Sequence, residues 1–298
     1  LGEVRLQASN AVGSLVDVSG DAPGSVFIRG GKVVVRGGAV PGNRRSLVRA
    51  ENESSVPADP GVPGPGLISV AANESVLVDN GLLSVVTHSA GNAGTIHVAS
   101  PGGSVTFQRG PGGTPTPVGA GAETTSSGAA GRIQIEARDL LVQDGAAVSA
   151  PSVGHGASGD GGTVEIVAHS VEVSQNSYIG VATIEGSGNA GSIGIHLGDD
   201  GAFRVGGKEG YTWIVAGTFD GATGNAGDIA IETGSLMVGR GAQINVPTTG
   251  DGEGGSITIG ADAVEISGGG WIGAHTLGKG AAGTIAIDAR SVVIGDGG

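Results

Sequence analysis

Cysteine is absent from the 298 residues, which excludes a disulfide framework, a thiolate metal site and cysteine catalysis. Aromatic residues are only 3% of the chain, with two tryptophans, two tyrosines and four phenylalanines. Nowhere does the sequence collect the 18 or more uninterrupted apolar residues that a membrane helix needs. Basic residues are outnumbered, 15 against 28 acidic, for a net charge of −13. That balance argues against nucleic acid and strongly anionic membranes as partners of the whole. The imbalance is uneven, since residues 1–50 hold seven Arg or Lys against three Asp or Glu; the basic start is read as local. The opening Leu1-Gly2-Glu3-Val4 has no initiator methionine and none of the basic and apolar regions of a signal peptide, and reads as the start of a piece of a longer protein.

Glycine, by contrast, is abundant: 62 glycines and 12 prolines make about a quarter of the chain, a level associated with disorder. Yet 38% of the residues are hydrophobic, too many for a solvated coil. The conflict disappears if the glycines recur at fixed places. Helical periodicity is missing, and short alternating runs of Val and Ile bounded by glycine recur instead. Aligned on Gly2, Gly24, Gly66, Gly94, Gly131, Gly162, Gly191, Gly227, Gly255 and Gly283, every run is aliphatic at the second and fourth residues after the anchor. Examples are Val26/Ile28, Ile133/Ile135 and Ile285/Ile287; Leu6, in the pair Val4/Leu6, is the one aliphatic that is not β-branched. Such residues stand well on a pleated surface and poorly in a helix.

Nine residues past the anchor a second pair begins, as in Val33/Val35, Leu140/Val142 and Val264/Ile266, and a third apolar position follows at Leu83, Val148, Ile179, Ile244 and Ile272. Each unit supplies three short strands and cannot bury its own apolar side, so the units must stack. The pattern predicts an all-β, right-handed parallel β-helix, a single solenoid over 1–298 of about ten coils of three short strands. Its tight corners account for the glycine, through positive φ or lack of room for a β-carbon. Uneven anchor spacing predicts two longer loop insertions. One is 41–65, with Pro41, Pro57, Pro60, Pro63 and Pro65; the other is 108–127, with Pro111, Pro115 and Pro117.

The block Gly-Asn-Ala-Gly-x-Ile-x-Ile at Gly91–Val98 (Val last), Gly188–Ile195 and Gly224–Ile231, followed by Leu/Val-x-Val, resembles the repeat of filamentous haemagglutinin-like large exoproteins, the cargo of two-partner secretion. The resemblance covers the chain from Gly24 onward. It implies a secreted or cell-surface location, outside the outer membrane, and a role in adhesion or display towards a host or neighbouring-cell glycan or protein. Such exoproteins begin with a secretion domain carrying Asn-Pro motifs, and this chain has no Asn-Pro. Engagement of an outer-membrane transporter would therefore run through a region outside it.

One outward column carries the functional expectation. Immediately before the third-strand apolar residue stand Leu82, Ala147, Tyr178, Trp213, Gln243 and Trp271, with the coil from Gly94 aligning poorly. Tyr178, Trp213, Gln243 and Trp271 are the candidate ligand-binding residues: flat aromatics in a row with an amide between them suit stacking on sugar rings. The competing reading has the rings stacking on one another or under residues 206–212. A second column, Thr87, Ser152, Thr183, Thr218, Thr248 and Thr276, reads as a turn ladder of hydroxyls bonding backbone groups at a corner.

Other chemistry is weaker. Gly154-His155-Gly156 and Asp199-Asp200 resemble pieces of the polygalacturonase motif set, but in reversed order and without Asn-Thr-Asp. The histidines do not gather into a zinc set, and the Gly-Asp-Gly-Gly segments at 159–162 and 295–298 do not repeat as a calcium-binding nonapeptide. P-loop and nucleophile-elbow motifs are absent. The reading is a non-enzymatic stalk segment with no cofactor, no metal and no integral membrane segment. A pure spacer, and a polysaccharide hydrolase or lyase on the same rod, stand as the alternatives.

Overall fold

A computed structural model describes residues 1–8, 13–38, 46–56, 64–110, 118–207 and 211–295. No helix occurs among them; the strands form two twelve-stranded sheets in which every pairing is parallel. The chain is a right-handed parallel β-helix of about nine turns.

Register follows the aliphatic columns. Ile68, Ile96, Ile133, Val164, Ile193, Ile229, Ile257 and Ile285 pair in succession along the first sheet. All but the terminal Ile285 are buried, in one continuous core. Each fully buried Val or Ile contributes roughly 1.5–3 kcal/mol, and the column form means no coil holds its share without a neighbour. The first two strands of the repeat lie in the same sheet and are often one bent strand, as in Ser25–Arg36, Leu67–Asp79 and Arg132–Gln143. They separate in two coils, as Thr163–Val167 with Ser170–Val173 and Ser192–His196 with Ala202–Val205.

Two sequence expectations are corrected by the pairing. Val4 and Leu6 do not start a first strand: they pair with Val33 and Val35, in the second-strand column. Gly2 is therefore no coil anchor, and the ten coils become about nine. Residues 41–65 and 108–127 are also not loops throughout. Ser46–Arg49 and Gly119–Thr124 are third strands, and Leu47 pairs with Leu82, which pairs with Gly119. Prolines flank these strands and disguise them. Residues 39–45, 57–63 and 111–117, with most of those prolines, lie outside the described residues.

The corners explain the glycines. A β-carbon on Gly94, Gly131, Gly162, Gly191, Gly227, Gly255 or Gly283 would collide with the carbonyl oxygen of the anchor glycine one coil earlier. None of these anchors has a positive φ, so close approach of backbones, rather than a left-handed conformation, demands glycine there.

The polar residues of the Gly-Asn-Ala-Gly block run a second ladder. Asp160 Oδ1 accepts Asn189 N–H (2.8 Å), Asn189 Oδ1 accepts Asn225 N–H (3.0 Å), and Asn225 Oδ1 accepts Glu253 N–H (2.8 Å). The threonine column is the expected turn ladder. Hydroxyls of Thr87, Thr124, Thr183, Thr248 and Thr276 donate to carbonyls of Gly91, Gly128, Asn189, Glu253 and Ala281. Ser152 and Thr218, in the same column, are buried with no partner for their hydroxyls among the described residues.

Candidate functional site

The second sheet presents its face outward through alternate residues of short strands. In Tyr178–Gly180, Trp213–Val215, Gln243–Asn245 and Trp271–Gly273 the middle residue is an isoleucine pointing into the core, so the first residue must point away from it. Pairing places Tyr178 beside Trp213, Trp213 beside Gln243 and Gln243 beside Trp271. The four candidate residues thus form one uninterrupted column with rungs about 4.8 Å apart. Gly119 fills the coil that the sequence alignment left unassigned, between Leu82 and Ala147.

Exposure divides the column. Leu82 and Ala147 are buried, whereas Tyr178 and Trp213 are 39% and 37% exposed and Gln243 and Trp271 are half-buried. The rings do not form a continuous stack. Trp213 meets Tyr211 edge-on (centroids 6.2 Å, 65°), and Trp271 lies tilted against His275 (5.6 Å, 45°). Two of the rings lean along their own strands. The Tyr178 ring passes over Gly180, the Trp271 ring covers Gly273, and Gln243 Oε1 accepts from Asn245 Nδ2 (3.3 Å).

Tyr211 and His275 are members of this surface that the column pattern missed. Tyr211 stands two residues before Trp213, and the alternation of an extended chain was the available signal. Part of the competing expectation holds for Trp213, since Tyr211 of the 206–212 segment packs on it; residues 208–210 lie outside the described residues.

No protein-family model, curated protein or solved structure matches the chain.

The remaining candidates are dispersed. His155 faces Glu185 (3.4 Å) in a turn after the second sheet, while Asp200 approaches His169 (3.8 Å) at the bend of the first sheet. The two polygalacturonase-like pieces therefore occupy different corners. Asp160, in the glycine-rich segment 159–162, is occupied by the Asn189 backbone and side chain. His196 sits between Glu165 (3.7 Å) and Glu232 (3.0 Å) on the outer face of the first sheet. Among the described residues no group of three or more His, Asp or Glu could hold a metal ion, and no helix is long and apolar enough to cross a membrane.

Proposed function

We propose that the chain is a non-enzymatic stalk segment of a filamentous haemagglutinin-like exoprotein, secreted or displayed at the cell surface, that binds glycan through its outward aromatic column. The observation that carries this reading is the column itself: Tyr178, Trp213, Gln243 and Trp271 in adjacent register, with the Tyr178 and Trp271 rings laid over glycines. These four side chains point away from the core, which is filled by aliphatic residues together with Phe107 and Phe203. The three Gly-Asn-Ala-Gly blocks support the exoprotein part of the reading. Partners of this kind are a host or neighbouring-cell glycan or surface protein, with export left to an outer-membrane transporter acting on a region outside this chain.

Trp213 and Trp271 are the only tryptophans, so intrinsic fluorescence reports on the column directly. Titration with neutral and acidic polysaccharides is expected to give a saturable change with one glycan, abolished by Trp213→Ala, without new reducing or unsaturated ends. Release of such ends would instead establish a hydrolase or lyase. The edge contact of Tyr211 with Trp213 favours a second reading, the pure spacer, for which every titration is flat.

A further inference from the structure

Towards the first coils the outer face of the second sheet is hollow. The aromatic column continues backwards from Tyr178 as Ala147, Gly119 and Leu82. Two residues further along the strands, the next outward column reads Ser84, Gly121, Ser149 and Gly180, four small residues in successive register. Two residues beyond that, Val86 pairs with Glu123, and Pro151 and Ala182 hold the same place in the following coils. Leu82 and Tyr178 on one side of this low column, and Val86, Glu123 and Pro151 on the other, bound a trough parallel to the rod axis, a cleft of about 440 Å³. Its floor crosses four rungs, about 14 Å. Beyond them stand Val215 at one end and Arg49 at the other, in the same column. The Arg49 guanidinium is already matched by Asp17 (2.7 Å) and Glu51 (3.3 Å).

The lining is mixed in a specific way. Leu82, Val86, Pro151 and Ala182 are apolar, Ser84 and Ser149 bring hydroxyls, and Tyr178 stands at one end. The Glu123 carboxylate is half-buried in this wall. Burial raises its pKa above the ordinary carboxylate value, with the nearby His88 pulling it back.

An extended peptide would fit poorly: the floor is the face of a sheet whose backbone groups are already paired, so the peptide's own amides would be buried without partners. A sugar chain differs, because its rings have apolar faces and its hydroxyls lie at the edges, where Glu123, Ser84 and Ser149 can take them. Two carboxylates, Glu51 and Glu123, line the cleft of a protein of net charge −13, which disfavours a polyanion. We infer that this trough binds a linear neutral glycan, laid along the rod axis with one end reaching the aromatic column at Tyr178. The inference rests on the glycan reading of the preceding section but on different residues.

Calorimetric titration with short neutral gluco-oligosaccharides, and with oligogalacturonate of matched length, tests it. Saturable binding of the neutral series is expected, with oligogalacturonate bound more weakly. Gly121→Leu would fill the trough. An added β-carbon there meets only Leu82 Cδ1 at 4.0 Å, so the coil should accept the substitution, and affinity should fall at least about tenfold. Glu123→Gln keeps the shape but removes the charge, and should strengthen oligogalacturonate relative to the neutral series. Wild-type affinity in Gly121→Leu, with loss in Trp213→Ala, would overturn the trough and leave the column reading intact. Loss in Gly121→Leu with retention in Trp213→Ala would uphold the trough and remove the column. Absence of any oligosaccharide binding to wild type, or tighter binding of oligogalacturonate than of the neutral chains, overturns the inference outright.

Discussion

The indole of Trp271 lies across Gly273, two residues along the same strand, in the space that a β-carbon at 273 would occupy. Tyr178 and Gly180 repeat the relationship more loosely: a β-carbon at 180 would stand 3.2 Å from Tyr178 Cδ2 and from Val215 Cγ1. Glycine at these positions lets a large ring lie flat on the sheet instead of standing away from it.

Gly273→Ala should therefore displace the Trp271 ring, and Gly180→Ala should disturb Tyr178 much less. The expected result for Gly273→Ala is a shifted tryptophan emission maximum and a stability loss of roughly 1–3 kcal/mol, the usual cost of overpacking. Emission and urea midpoint identical to wild type would show that the ring does not need the glycine.

Glycines of the corner ladder should behave differently from those of the open face. Alanine at 191 would drive its β-carbon into the Gly162 carbonyl, where only backbone can yield, whereas alanine at 121 meets a single side-chain atom at 4.0 Å. Gly191→Ala is expected to cost about 3 kcal/mol or more. Gly121→Ala should be neutral or gain up to about 1 kcal/mol through the reduced freedom of the unfolded chain. Chemical denaturation of both variants decides the point, and equal midpoints would refute the close-approach account of the ladder.

The threonine column offers a matched pair. Thr124 donates its hydroxyl to the Gly128 carbonyl at 2.5 Å, while the equally buried Thr218 hydroxyl has no partner among the described residues. Replacing Thr124 by the near-isosteric valine removes a made bond and should cost about 1–3 kcal/mol. Thr218→Val relieves an unpaired hydroxyl in a strand environment that favours valine, and should be neutral or stabilising. Thermal melts in which Thr218→Val loses as much as Thr124→Val would contradict this assignment.

Glu123 makes stability depend on pH with a definite sign. Burial raises its folded pKa above the ordinary glutamate value, opposed by His88. Within the window between the unfolded and folded values, the folded chain keeps a proton that the unfolded chain has released, so stability falls as pH rises through it. Glu123→Gln removes that loss. The variant should melt above wild type near neutral pH and show no advantage once the carboxyl is protonated in both states, below the ordinary glutamate range. A gain that persists unchanged into acid would assign the effect to packing instead.

Much of this architecture is legible in the chain because inward alternation is a local property. Ile133/Ile135 or Ile257/Ile259 declare a strand without reference to any other coil. Val4/Leu6 declares one too, but first and second strands of a coil share the same alternation. Only pairing with Val33 and Val35 shows which column that strand joins. Gly119–Thr124 was hidden for the opposite reason: Gly-Ala-Gly-Ala carries little strand propensity, and Ala120 and Ala122 become core residues because the coils above and below hold them there.

The aromatic column was also readable, because Tyr178, Trp213 and Trp271 each precede an inward isoleucine, and an extended chain then sends them outward. Their ring orientations were not. The tilt of Trp271 over Gly273 and the edge contact of Trp213 with Tyr211 depend on side-chain volumes around each ring.

Strand identity, inward and outward faces and the need for stacking were thus determined by the sequence alone, since period-two alternation and missing β-carbons act within a few residues. Coil count, the strands inside the proline-rich stretches and the trough were decided only by tertiary structure. Ser84, Gly121, Ser149 and Gly180 are separated by 37, 28 and 31 residues along the chain and become one floor only when inter-coil hydrogen bonds bring them into register. A cleft of this kind is a difference in height between neighbouring columns, and a column exists only after the coils have stacked.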